Sequence, residues 1–219
     1  MQGNFDRSLA FTLDPQQDGQ PLHTTPGDPG GATNLGVTIP ALTDYLGRPA
    51  TVEDIEALTR QSVRPIYGTK FWQANQCDRL PTGIDLLVFD FSVYSGVHSS
   101  ARCLQRALAM SGPDQDGWIG ARTLAAANSR PVGDLITSLA TMQHLHLSGL
   151  GDAPSFLHGW DLRLMRCKHL AEAWVSGVAS PPPVAPAPVP ASDPDNSADA
   201  LMAQEQQQLD SGQAPTTET

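Results

Sequence analysis

The run Gly83-Ile84-Asp85-Leu86-Leu87-Val88-Phe89-Asp90-Phe91-Ser92-Val93 is apolar on most sides and stops at Gly96. A helix with no solvent-facing stripe must lie at the centre of its domain, with other elements wrapped around it. The rest of the chain offers helices to do so. Phe5, Leu9 and Leu13 recur every four residues and predict a short opening helix broken at Pro15. Thr51 with Asp54, and Thr82 with Asp85, each set a hydroxyl three residues before a carboxylate, which reads as a capping box opening a helix. Further helices are expected over about 99–111, 119–127, 132–147 and 160–176, separated by Gly, Pro and Asp-Gly turns. No run of alternating strands competes with them and no internal repeat is visible, so the fold class is mainly α.

The folded part should end near residue 177. Beyond it, Ser180-Pro181-Pro182-Pro183-Val184-Ala185-Pro186-Ala187-Pro188-Val189-Pro190 favours an extended polyproline spacer, and Ala191 to Thr219 is too polar and acidic to fold alone. Residues 178–219 are therefore expected to be a disordered Pro-rich tail with no partner identified. This tail holds six of the 23 acidic residues and none of the 13 Lys and Arg, so the formal charge of −10 falls to −4 for everything before it. A mildly acidic body without a Lys/Arg-rich stripe lacks the footprint needed to hold a phosphate backbone, which argues against a nucleic-acid partner. No stretch approaches the roughly 18 to 20 apolar residues that cross a bilayer, and Met1 to Arg7 lacks the order of a secretory signal. The expectation is a chain made in the cytoplasm, without stable membrane insertion. Cys77, Cys103 and Cys167 are odd in number and widely spaced, so reduced, partly buried thiols are expected. His144 and His146 are two residues apart, on different helix faces, and no metal or other cofactor is expected.

One region departs from the helical pattern. From Asp14 to Gly36 the chain is rich in Gly, Pro, Asp, Gln and Thr, and a long irregular loop within a compact domain usually has a function or is disordered. Its second half, from Pro26 to Thr38, has the small residues that let a backbone turn sharply against a ligand, and it gathers Asp28, Thr33, Asn34 and Thr38. A tight turn capping the next helix through Thr38 would account for part of the same pattern.

At these residues the sequence resembles glycoside hydrolase family 108, the lysozyme-like peptidoglycan hydrolases of phages, prophages and bacterial secretion systems. The family joins a Glu-Gly-Gly segment to a downstream Asp-Pro-Gly-Gly-Ala-Thr-Asn-x-Gly-Ile-Thr, and Asp28 to Thr38 is similar to the second part almost residue for residue. Similarity continues through Ile66-Tyr67 and Phe71-Trp72 into Leu87 to Phe91. Leu104 to Leu108, Asp116 to Thr123 and Gly159 to Arg163 resemble the predicted peptidoglycan-binding module that completes such enzymes. The resemblance implies a lysozyme-like helical domain with a long Gly/Pro-rich active-site loop. It would comprise a catalytic region over 4–90 and a binding-like helical region over 91–177 packed in the same unit.

Glycan hydrolysis needs a carboxylic acid to protonate the leaving oxygen, usually assisted by a second carboxylate or a positioned water. The resemblance puts that acid on the Glu of Glu-Gly-Gly, yet the first fifty residues here contain no glutamate. Aligning Gly19 with the second glycine places Gln17 at the acid position, and sliding by one places Asp18 there; both registers stay open. On the resemblance, Asp18 is the acid, with Asp28 and Thr33 in support, and Asn34, Tyr67 and Trp72 are substrate-binding. Tyr67 and Trp72 owe that assignment to the resemblance alone, because rings at helical positions, Trp118 and Trp160 included, are more often core than sugar platform. Tyr94 replaces the asparagine of the family's Val-Asn-x-Gly, which alters both volume and hydrogen bonding. Arg163, Arg166 and Lys168 put positive charge on the last helix, as a solvated face or to meet anionic wall polymer.

The expected function is endolysin-like, muramidase-type cleavage of bacterial peptidoglycan, impaired by the missing glutamate. It would act in the periplasm or cell wall after holin-type or other export, or lysis. The alternative is a pseudoenzyme, a catalytically inactive wall-binding phage structural or secretion accessory protein. A chitin-active glycosidase would share the fold.

Overall fold

The computed structural model describes residues 3–14, 22–24, 32–150 and 153–177. Helix α1 (Asn4–Thr12) leads into three short antiparallel strands, β1 (His23–Thr24), β2 (Ala32–Asn34) and β3 (Val37–Thr38), ordered β1-β2-β3. There follow α2 (Ile39–Leu46), α3 (Val52–Glu56) and α4 (Arg60–Tyr67), the last running on into a π-helical turn over Gly68–Gln73. Then come α5 (Ile84–Ser95), α6 (Val97–Ala107), α7 (Ala121–Ser129), α8 (Val132–Ser148) and α9 (Ala153–Ser176). The strands were not expected. At two or three residues each they are too short to show a period of two, and a 3.6-residue template passes over them.

Helix α5 is the buried centre its sequence demands: every residue from Ile84 to Ser92 is buried, and α1, α6, α8 and α9 pack around it. The division expected near residue 90 falls inside this helix. The expected helices near 99–111, 119–127 and 132–147 appear as α6, α7 and α8, while α9 starts seven residues before the expected position of 160. Cys77, Cys103 and Cys167 are buried and outside any disulfide, and desolvation raises the thiols of Cys77 and Cys167 well above their usual range, which keeps them protonated and unreactive. Residues 178–219, and with them the Pro-rich tail, lie outside the described residues.

The two expected capping boxes part company. Thr51 and Asp54 form one in full, each side chain bonded to the other's backbone amide, at the start of α3. Thr82 caps nothing. Gly83 opens α5 at a φ of +91°, outside the extended range that a hydroxyl cap needs, and Asp85 binds the amides of Gly83 and Leu86 at 2.7 and 2.8 Å. The amide of Asn4 donates to both Asp85 and the Thr82 hydroxyl, so the pair meant for a cap instead ties α1 to α5.

Burial raises the Asp85 carboxyl above its ordinary value, against the opposing pull of its bonds from Asn4, Leu86 and Gly83. A carboxyl whose folded pKa exceeds its unfolded value supplies stability that is complete below the unfolded value and is lost as pH rises through the folded one. Asp85→Asn removes that titration. The difference in Tm between variant and parent should therefore move in the variant's favour as pH climbs from about 3.8 toward neutrality. A pH-independent difference in paired thermal melts would refute this.

Candidate functional site

The loop singled out in the sequence is entered at the end of α1 and left at β2. On the entry side, the Thr12 hydroxyl donates to Asp90 Oδ1 on α5 at 2.8 Å, and the Arg60 guanidinium on α4 donates to the Leu13 carbonyl. On the exit side, β2 and β3 form a hairpin in which Thr33 pairs with Thr38 and Asn34 with Val37. The chain reverses through Leu35 and Gly36 at φ of +52° and +71°, the pair of positive values that suits a two-residue hairpin. Leucine has no intrinsic preference for that region, so its neighbours must hold it there.

Two of the residues chosen from the sequence do this holding. The Tyr67 phenol donates to the Leu35 carbonyl at 3.0 Å, and the Asn34 amide donates to the carbonyls of Ile55 and Leu58 at 3.0 and 3.4 Å, just where α3 runs out of its own amides. Tyr67 is 1% exposed and Asn34 8%. Their polar atoms are spent on the protein, so both anchor the hairpin to α3 and α4 and present little surface to a sugar. Thr38 caps α2 through Ala41 N, so the turn-and-cap reading of this segment also holds.

Trp72 departs further from its expected place against substrate. At 2% exposure it packs with Phe5 and Phe89, ring centroids at 5.3 and 5.5 Å, and offers no open face for stacking. The π-helical turn gives the reason: one extra residue per turn rotates Trp72 inward beneath α1. Trp118 reverses the expectation in the other sense. Read as core, it is 57% exposed. Thr33 sits in the middle strand, 8% exposed, on the face opposite Ala32 and Asn34. Gln17, Asp18 and Asp28 lie outside the described residues.

The sequence reading passed over the group that secures the entry side. Asp90 is 1% exposed and accepts from Arg163 on α9 through both oxygens, at 2.8 and 3.0 Å, besides the Thr12 hydroxyl. Arg163 lies 4.5 Å beneath the Tyr94 ring, which packs edge-on against Phe91. Tyr94, noted as a departure from the family, thus roofs an ion pair with an aromatic face suited to a guanidinium. The signal was available: an aspartate in the middle of an otherwise apolar helix needs a cation or a donor beside it. Arg163, expected on a solvated or wall-facing surface of the last helix, instead turns inward to this pair, its side chain 12% exposed. Arg60 carried no pattern that could have marked it.

Comparisons with known proteins bear on the same residues. The family model described as Glycosyl hydrolase 108 matches residues 16–96, a stretch that begins inside the loop and ends with α5 at Gly96. Among solved structures, one titled as the structure of Brucella abortus SagA is 32% identical, with a TM-score of 0.70, covering 79% of this chain and 96% of that one. No curated protein matches the chain.

Proposed function

Because the chain belongs to the glycosyl hydrolase 108 family, we propose that it cleaves the glycan strand of bacterial peptidoglycan, with Asp18 as the proton donor and Asp28 and Thr33 in support. What carries the reading is the family match that starts at residue 16 and so takes in Gln17, Asp18 and Asp28. The loop they occupy is tethered at both ends, by Thr12, Arg60 and Asp90 on one side and Asn34 and Tyr67 on the other. Anchored loop ends matter to a hydrolase, since about 1 Å of displacement can cost roughly 10² in rate. An aspartate in place of glutamate sets the carboxyl back by one methylene, so turnover is expected to be low. Access to the wall would follow export through a holin-like pore, another export route, or lysis.

The lack of glutamate in the first fifty residues favours a second reading, a wall-binding accessory protein without turnover. Incubating the full chain with purified murein sacculi separates the two. Clearing of turbidity with release of reducing ends supports hydrolysis. Co-sedimentation with sacculi and no release supports the binder, and a chain that neither releases reducing ends nor co-sediments overturns both readings.

A further inference from the structure

We propose that Trp118 is the platform of a saccharide subsite that holds a pyranose ring of the murein strand by stacking, outside the stretch matched by the family model. The inference rests on the peptidoglycan reading above, but its evidence is separate. Trp118 is 57% exposed, and its neighbours His98 and Arg102 also lie beyond residue 96.

An exposed indole means little on a loose loop, and this loop is fixed at each residue. Asp116 Oδ1 accepts from Trp118 N at 2.9 Å. The side chain of Gln105, 1% exposed, donates to Asp116 Oδ1 at 2.7 Å and to the Trp118 carbonyl at 3.0 Å, while accepting from Gly117 N at 3.0 Å. Gly120 N donates to the Trp118 carbonyl at 3.0 Å, and the Gln76 amide donates to the carbonyl of Ile119. The turn itself requires glycine at 117, where φ is +79° and a Cβ would come 3.3 Å from Arg102 Nε and 3.4 Å from the His98 carbonyl. A buried glutamine that holds this turn through Asp116, Gly117 and Trp118 leaves the ring as the part that projects.

The surroundings of the ring specify the ligand. His98 packs against Trp118 at a centroid distance of 4.3 Å and an interplanar angle of 83°, which restricts the indole. His98 Nδ1 stands 3.1 Å from the Gly117 carbonyl and donates to it, which fixes the imidazole against the turn. An exposed aromatic face fits a pyranose, which has one C–H face to lay against it. Arg102, lying along Gly117, adds a cation of the sign that the carboxylates of murein attract.

The test compares the full chain with Trp118→Ala and Trp118→Phe, measuring retention on purified sacculi and the fluorescence response to a soluble N-acetylglucosamine oligomer. Trp118→Ala should weaken retention about tenfold or more, with partial recovery in Trp118→Phe and the Tm of the parent in both. Retention of Trp118→Ala equal to that of a parent that binds or clears sacculi overturns the subsite and leaves the peptidoglycan reading standing. A parent that neither binds nor clears sacculi overturns both. A change in the sedimentation coefficient of Trp118→Ala alone in buffer would assign the ring to contacts between copies of the chain, and overturn the saccharide assignment.

Discussion

Converting Asp18 to asparagine in the full chain is expected to lower the rate of sacculus hydrolysis by about 10²- to 10⁴-fold, the usual loss when a general acid is removed. An asparagine side chain matches aspartate in size and keeps a carbonyl acceptor, so the fold is preserved while the transferable proton is lost. The companion variant is Gln17→Glu. In the register that places Asp18 opposite the scissile oxygen, Gln17→Glu leaves the parent's dependence on Asp18 intact. Activity that appears only in Gln17→Glu transfers the acid position to Gln17 and makes the parent a binder, whereas a parent rate untouched by Asp18→Asn removes Asp18 from the acid role. Initial rates of reducing-end release, with matched melting curves, decide it.

The second large effect concerns Asp90. Asp90→Ala strips the partner from an Arg163 whose side chain is only 12% exposed, and also removes the acceptor of the Thr12 hydroxyl. Breaking a buried pair from one side typically costs about 3–5 kcal/mol, because the remaining charge stays desolvated. For a folded unit of this size that corresponds to a fall in Tm of roughly 6–20 °C. Replacing both partners with apolar residues, Asp90→Leu with Arg163→Met, should recover most of the loss, since no charge is then stranded. Equal losses in the single and double variants would show that the pair itself, rather than the stranded charge, carries the energy. The Thr12 bond gives the variant a functional readout as well: looser anchoring of the loop entry should lower hydrolysis in preparations that are still folded at the assay temperature.

The residues that bear on function were legible to different degrees for identifiable reasons. The segment from Asp28 to Thr38 was recognisable as a run of turn-forming residues similar to the family's pattern, and Gly36 takes a positive φ in the hairpin. What Asn34 and Tyr67 do could not be read, since their partners are the carbonyls of Ile55, Leu58 and Leu35, and a backbone acceptor leaves no mark in the sequence. Trp72, given to substrate by the resemblance alone, is drawn inward by a π-helical turn, and Trp118, expected in the core, is held outward by Gln105.

Local chemistry alone determined that α5 would be central, that Thr51 would cap a helix, and that the stretch before Thr38 would bend, because periodicity, capping and glycine act over a few residues. Only the tertiary structure decided which polar groups meet. Asn4 with Asp85, Thr12 with Asp90, and Arg163 with Asp90 stand more than seventy residues apart, joined because α1 and α9 both pack on α5. A charge buried in an apolar helix announces that it needs a partner, but the partner's identity is settled by which helix faces it across the core.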